Sequence, residues 1–382
     1  MNLAERKISR VKKWFIISII LLPILFLYAT PIPGFTIGDL FMLVWTFSLL
    51  IKEKVKINNK LLLLIFFLVI QTLTLSAGGN LPKITTSLRY IVYLLIMWLL
   101  PTVANERDYI YKVVSQVSKA VIIFLLLQYV AFQMGIIIPG IMTFLPLTAD
   151  EGSSYEEIFN IGGRCMSVFA EPSHYAIYAL LFLTISLFEH STISFKNLIW
   201  PVITSFSLIA ASSFSGVLCM VAAWTLKLVL SLRNKKLSIK AVITFFLFIG
   251  VLVYIILSTN MGDYVSDIDV YDRQSAGRFG GFTYVMEKSS QMSNLLFGNG
   301  MNDIGEVEYL SGWPRLYFYF GILGSLIYLI SFGSFYKKNT LSMVIMIMVA
   351  GLMVGTEINF APFILPYVLL ASATKDYSLK NI

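Results

Sequence analysis

The chain has 382 residues, 57% of them hydrophobic and only 13% charged, with a mean hydropathy of +0.79. Water-soluble globular domains carry about 25% charged residues, so the composition excludes that class and describes an integral membrane protein. The formal charge of +8 lies in short segments between apolar runs rather than in a basic tail, so topology explains it better than a nucleic-acid partner.

A helix crosses the hydrocarbon core in roughly 20 residues, somewhat fewer when flanking side chains reach the interface. In chain order the apolar runs predict about twelve spans: 14–30, 36–51, 61–75, 88–103, 118–138, 174–188, 198–211, 216–232, 241–257, 316–335, 341–355 and 358–371. Arg6, Lys7, Arg10, Lys12 and Lys13 precede the first run and no small-residue cleavage site follows it, which reads as a retained first helix. No alternating strand pattern is present, and lipid-facing backbone needs internal hydrogen bonds, so the fold is all-α: a polytopic membrane protein of one transmembrane domain, residues 1–382.

Lysine and arginine gather in the cytoplasmic connections of such proteins. With the amino terminus inside, the cytoplasmic connections contain Lys52, Lys54, Lys56 and Lys60, then Arg107, Lys112 and Lys119, then Lys196, then Arg233, Lys235, Lys236 and Lys240, then Lys337 and Lys338, and finally Lys375 and Lys380. Both termini are then cytoplasmic. Two long extracytoplasmic loops remain, 139–171 and 260–314, and they are acidic, with Asp150, Glu151, Glu156 and Glu157 in the first and Asp263, Asp267, Asp269 and Asp272 in the second. No internal period stands out, and the midpoint connection is short, unlike that of a major-facilitator transporter.

Five arginines fall on the side that positive charge otherwise avoids: Arg89, Arg164, Arg273, Arg278 and Arg315. A guanidinium grips phosphate with a two-pronged fork and keeps its proton, which suggests an anionic ligand; the alternative is pairing of each with a loop carboxylate or lipid phosphate. Arg164 opens the stretch RCMSVFAEPSH. Pro172 suits the first helical position, which makes Glu171 the N-cap residue and puts Ser173 and His174 in the first turn. Glu171 there serves either as a helix cap or as a general base toward a sugar hydroxyl.

Other signals are weaker. Asp267 and Asp269 form a D-x-D pattern that is discounted, because the predicted side lacks nucleotide sugars. Gly298 and Gly300 flank a turn, Gly321 and Gly324 permit close helix packing, and Thr36 with Asp39 forms a capping box. Glu357 reads as a helix-terminal acid and His190 as a solvated helix end. Cys165 and Cys219 suggest no disulfide, and no metal or other cofactor is indicated.

The pattern resembles the Wzy-type polysaccharide polymerases of bacterial inner membranes and, more distantly, the O-antigen ligases. The resemblance rests on Arg164 with the Glu171–His174 motif, on FSG at Phe214–Gly216, and on AGRFGG, LLFGNG and WPRLYFYFGILGSL in the late loop and the helix after it. It implies transfer of a glycan from its undecaprenyl diphosphate carrier to another lipid-linked repeat unit, with a chain-length regulator as protein partner. It also implies that Glu171 deprotonates the acceptor, that His174 assists, and that Arg164, Arg278, Arg89, Arg315 or Arg273 neutralise the diphosphate. A ligase normally has a late-loop histidine, and this loop has none, which favours polymerase. A flippase for the same lipid is the alternative, and it requires water-accessible charge within the bundle.

Overall fold

A computed structural model of the chain describes residues 8–32, 34–77, 84–142, 144–148, 164–189, 195–233, 250, 280–289, 291–302, 310–356, 358–359 and 362–374. Among these the secondary structure is helical, apart from two isolated β-bridges, Tyr28 with Leu147 and Ala29 with Thr36. In chain order the helices are α1 (Arg10–Leu25), α2 (Ile37–Lys52), α3 (Lys60–Ala77), α4 (Ile84–Leu99), α5 (Arg107–Gln133), α6 (Pro172–Phe188), α7 (Phe195–Ala210), α8 (Phe214–Arg233), α9 (Gly280–Lys288), α10 (Met292–Phe297), α11 (Gly312–Gly333), α12 (Thr340–Gly355) and α13 (Ile364–Ala373), with a 3₁₀ turn at Leu100–Thr102 after α4.

Eleven of the twelve predicted apolar runs coincide with a helix, and the run 241–257 lies outside the described residues apart from Gly250. The boundaries move for local reasons. Helix α5 begins at Arg107, eleven residues before the predicted start, because an amphipathic segment with Ile110, Tyr111, Val113 and Val114 buried extends the apolar run. Helix α13 begins at Ile364, later than predicted, because Asn359 leaves the helix to donate to the Gly312 carbonyl. Helix α2 starts where the capping box demands: Thr36 Oγ1 accepts from the Asp39 N–H and the Asp39 carboxylate accepts from the Thr36 N–H at 2.8 Å. Asn339 caps α12 in the same manner, accepting from the Ser342 N–H at 2.8 Å.

Two helices form the centre. Helix α6 is apolar around its whole circumference and buried from Tyr175 to Ile185, packed by α5, α7, α8 and α12, as a helix without a polar face must be. Helix α13 is buried from end to end between α12, α5, α1 and α4. Tyrosine hydroxyls fasten this centre: Tyr367 donates to the Ile177 carbonyl at 2.6 Å, Tyr178 to the Ile20 carbonyl at 3.0 Å, and Tyr175 to Ser207 Oγ at 2.5 Å. Each phenol keeps its one polar atom satisfied inside an apolar bundle.

The periphery is the reverse of a soluble protein's. Leu62, Leu63, Phe66, Val69, Ile70 and Leu73 form an exposed stripe on α3, and Ile322, Leu323, Leu326, Leu329 and Ile330 do so on α11. Contiguous apolar surface of this extent requires an apolar solvent. Among the described residues three helices are long and apolar enough to cross a membrane: α5 (27 residues), Phe214–Ser231 of α8 (18 residues) and α11 (22 residues). Shorter apolar helices accompany them, so the coarse class is a helical membrane protein.

Helix α11 is not one rod. Gly321 has φ 62° and ψ −166°, which breaks the helix in its middle. Ser325 Oγ lies 3.5 Å from the Leu316 carbonyl oxygen, where nine residues of unbroken helix would separate them axially by roughly 13 Å. The length of α11 therefore overstates its reach. It is an elbow of two short arms, and the second packs along α3, with Gly324 against Phe67 and Ser331 donating to the Lys60 carbonyl at 3.0 Å.

Candidate functional site

Among the described residues the start of α6 gathers several buried polar contacts. Residues 164–171 approach it as a buried, non-helical strand of chain whose backbone groups find partners in α5. Gln128, fully buried in α5, accepts from the N–H groups of Met166 (3.2 Å) and Ser167 (2.9 Å) through Oε1 and donates from Nε2 to the Ile138 carbonyl at 2.8 Å. Ser167 Oγ donates to the Val121 carbonyl at 2.8 Å. Ser167 also has φ 57°, a left-handed conformation uncommon for a residue with a side chain. Gly140 packs so closely on it that a Cβ there would lie 1.5 Å from the Ser167 oxygen.

This scaffold fixes three of the predicted residues. Arg164 donates from Nη2 to the Ser212 carbonyl, two residues past the end of α7. Ser212 has φ 53°, the left-handed position after a helix end that glycine usually takes, and its carbonyl stands at the negative end of α7. Pro172 is the first residue of α6 and Glu171 its N-cap residue, as predicted, but the carboxylate makes no capping bond. Glu171 Oε2 instead accepts from Ser173 Oγ at 2.9 Å, and the side chain is half-buried. The ring of His174 lies over Phe363, just before α13, with centroids 4.7 Å apart.

The motif blocks that are distant in sequence meet here. The FSG turn at the start of α8 approaches α6 so closely that a Cβ on Gly216 would lie 2.5 Å from Ala176 Cβ. The start of α11, which carries Arg315, is tied to the α12–α13 connection, for the Gly312 N–H donates to the Thr356 carbonyl at 2.9 Å and Asn359 donates to the Gly312 carbonyl at 3.3 Å. Asn359 is fully buried and stands four residues before Phe363, the residue that covers His174. The starts of α6, α8, α11 and α13 and the ends of α7 and α12 thus share one end of the bundle.

Arg89 has a different environment. Its Nη2 pairs with Asp39 Oδ2 at 2.7 Å and its Nε donates to Tyr93 Oη at 3.0 Å, while Tyr93 donates to Asp39 Oδ1 at 2.6 Å. Its guanidinium lies 4.4 Å from the centroid of the Phe26 ring. The capping box of α2 is therefore also an ion pair between α2 and α4, a partner that spacing within α2 alone does not reveal. Arg273, Arg278, Glu357, His190 and the loop aspartates lie outside the described residues. Cys165, buried beside Arg164, has its thiol pushed up to about 11 by burial, the property of a packing residue rather than a nucleophile.

A comparison with protein-family models finds no match, and a comparison with curated protein sequences finds none either.

Proposed function

We propose that this chain is a polysaccharide polymerase with about twelve spans and both termini in the cytoplasm, acting on the outer face of a bacterial inner membrane, as its resemblance to the Wzy type implies. The observation that carries the reading is the convergence of the Arg164, Glu171–His174 and FSG blocks at one bundle end, with a half-buried carboxylate that caps no helix. In this reading the Glu171 carboxylate takes the proton of an acceptor sugar hydroxyl. That oxygen bonds to the anomeric carbon of the donor glycan, whose bond to undecaprenyl diphosphate breaks. The departing diphosphate takes its charge to guanidinium groups, first to Arg164, held by the Ser212 carbonyl, and then to Arg315, Arg278 or Arg273, since positive charge aimed at a developing anion lowers the barrier. Arg89, paired with Asp39, fits a fastening of α4 to α2 better than a place on the diphosphate.

Glu171→Gln and Arg164→Ala are expected to abolish chain extension while the protein still inserts and single repeat units still reach the surface. Gel separation of the surface polysaccharide checks this, and long chains from either variant would refute the roles. Deletion of the whole chain discriminates the class: single repeats for a polymerase, no displayed glycan for a flippase, and polymer left on its lipid carrier for a ligase.

A further inference from the structure

We infer that α9, α10 and the Gly298–Asn299–Gly300 turn form a re-entrant hairpin that dips into the outer hydrocarbon, instead of belonging to a wholly aqueous late loop. The backbone of the turn docks on the elbow of α11 and on α3. Phe297 and Tyr319 offer their carbonyls to one donor, the Nε2 of the buried Gln71, at 2.6 Å for Tyr319. The N–H groups of Asn299 and Gly300 donate to the Phe318 and Tyr319 carbonyls at 2.8 and 3.0 Å, and that of Gly298 to the Asn294 carbonyl at 2.8 Å. Every one of these polar groups is satisfied by protein. Non-helical backbone survives at membrane depth only under that condition.

The depth follows from α3. Gln71 lies six residues before Ala77, the last residue of α3, so its contact with Phe297 is about 9 Å inside that helix end at 1.5 Å per residue. The side chains fit the same placement. Met292, Leu296 and Phe297 on α10 are exposed, as are Phe282 and Met286 on α9, while the exposed Glu287 and Gln291 put the turn between the two helices at the interface. Lys288, at the turn between α9 and α10, folds back so that its ammonium is 5.6 Å from the Tyr284 ring, the posture of a lysine keeping its charge in the interface. Gly281 packs on Pro314, the neighbour of Arg315, so the hairpin brings hydrocarbon to the arm of α11 that carries that arginine.

The inference rests on the reading of the chain as membrane-spanning, and the test separates the two. Single cysteines are placed in a Cys165→Ala/Cys219→Ala background of the full chain and challenged on intact spheroplasts with a membrane-impermeant maleimide. Ile32→Cys, 51% exposed between α1 and α2, reports the aqueous side, and Leu326→Cys, 52% exposed on α11, reports hydrocarbon. Leu296→Cys, Phe297→Cys and Met292→Cys are expected to stay unlabelled like Leu326→Cys and to react fully only after denaturation in SDS. Labelling of these three at the rate of Ile32→Cys, with Leu326→Cys still silent, would overturn the hairpin alone. Labelling of Leu326→Cys as well would remove the membrane reading beneath it.

Discussion

The start of α6 and the elbow of α11 solve one problem with one device and then diverge. Both contain buried non-helical backbone, with φ 57° at Ser167 and φ 62° at Gly321. Each is met by one buried glutamine from a neighbouring helix, Gln128 in α5 and Gln71 in α3. Gln128 uses both ends of its amide, accepting two N–H groups and donating to one carbonyl. Gln71 spends its donors on two carbonyls. Beyond the glutamine the regions part: the first holds Arg164, Glu171 and His174 at a bundle end, whereas the second turns Leu296 and Phe297 outward. Irregular backbone within a bilayer is thus no sign of catalysis by itself. The side chains that it presents decide what it is for.

The harshest way to break the comparison is at the glycines. Gly321→Ala puts a side chain where φ and ψ are essentially glycine-only and where Cβ would lie 2.5 Å from the Gly298 nitrogen. Gly140→Ala drives Cβ to 1.5 Å from the Ser167 oxygen. Both clashes are with backbone, and strained backbone alone costs about 1–3 kcal/mol, so neither variant is expected to elute as folded monodisperse protein in detergent. Normal elution of Gly321→Ala would mean that the elbow is not held against the Gly298 turn.

The glutamines sharpen it. Gln71→Glu sets a carboxylate against two carbonyl oxygens, with an expected loss of about 3 kcal/mol or more, while Gln128→Glu keeps both accepted N–H groups and loses one donation, roughly 1–2 kcal/mol. Thermal unfolding midpoints in detergent rank the pair, and equal losses would erase the distinction between them.

Next in size is a null effect on stability. Because Glu171 makes no capping bond, Glu171→Gln is expected to change stability by less than ~0.5 kcal/mol, below the ~1 kcal/mol of a lost N-cap, while polymer formation is lost. A marked fall in the unfolding midpoint would return the residue to a capping role. The smallest effect concerns Cys165. With its thiol pushed up to about 11, the thiolate fraction falls roughly tenfold for each pH unit below that value, so alkylation in the folded protein is negligible at neutral pH and rises only on strong alkalinisation or unfolding. Mass measurement after thiol alkylation at neutral and alkaline pH checks it.

Much of this was legible in the chain. Hydropathy located eleven of the helices because lipid-facing residues need no polar partner and therefore form uninterrupted runs, and Pro172 marked the start of α6 to the residue. The Thr36–Asp39 box was legible from its spacing, but its arginine was not, because Arg89 follows Asp39 by fifty residues. Gly321 and Gly324 read alike as small packing residues, and both admit a close neighbour, Phe67 at Gly324 and the Leu296–Gly298 backbone at Gly321, but Gly321 also breaks the helix. Gln71 and Gln128 sit within apolar runs, and no motif or spacing in the sequence marks them. The one available signal was their polarity at membrane depth, which is costly unless something buried needs it.

The sequence by itself determined where apolar helices form, since that depends on composition over a single turn-by-turn window. It also set the chemistry available to the loops, since the positions of arginine, glutamate and histidine along the chain are fixed by it. Only the tertiary structure decided which helix is whole and which is bent, and which guanidinium is tied to a carboxylate. The same holds for which irregular backbone is completed by a distant amide, because each of these is settled by a hydrogen-bond partner from another helix.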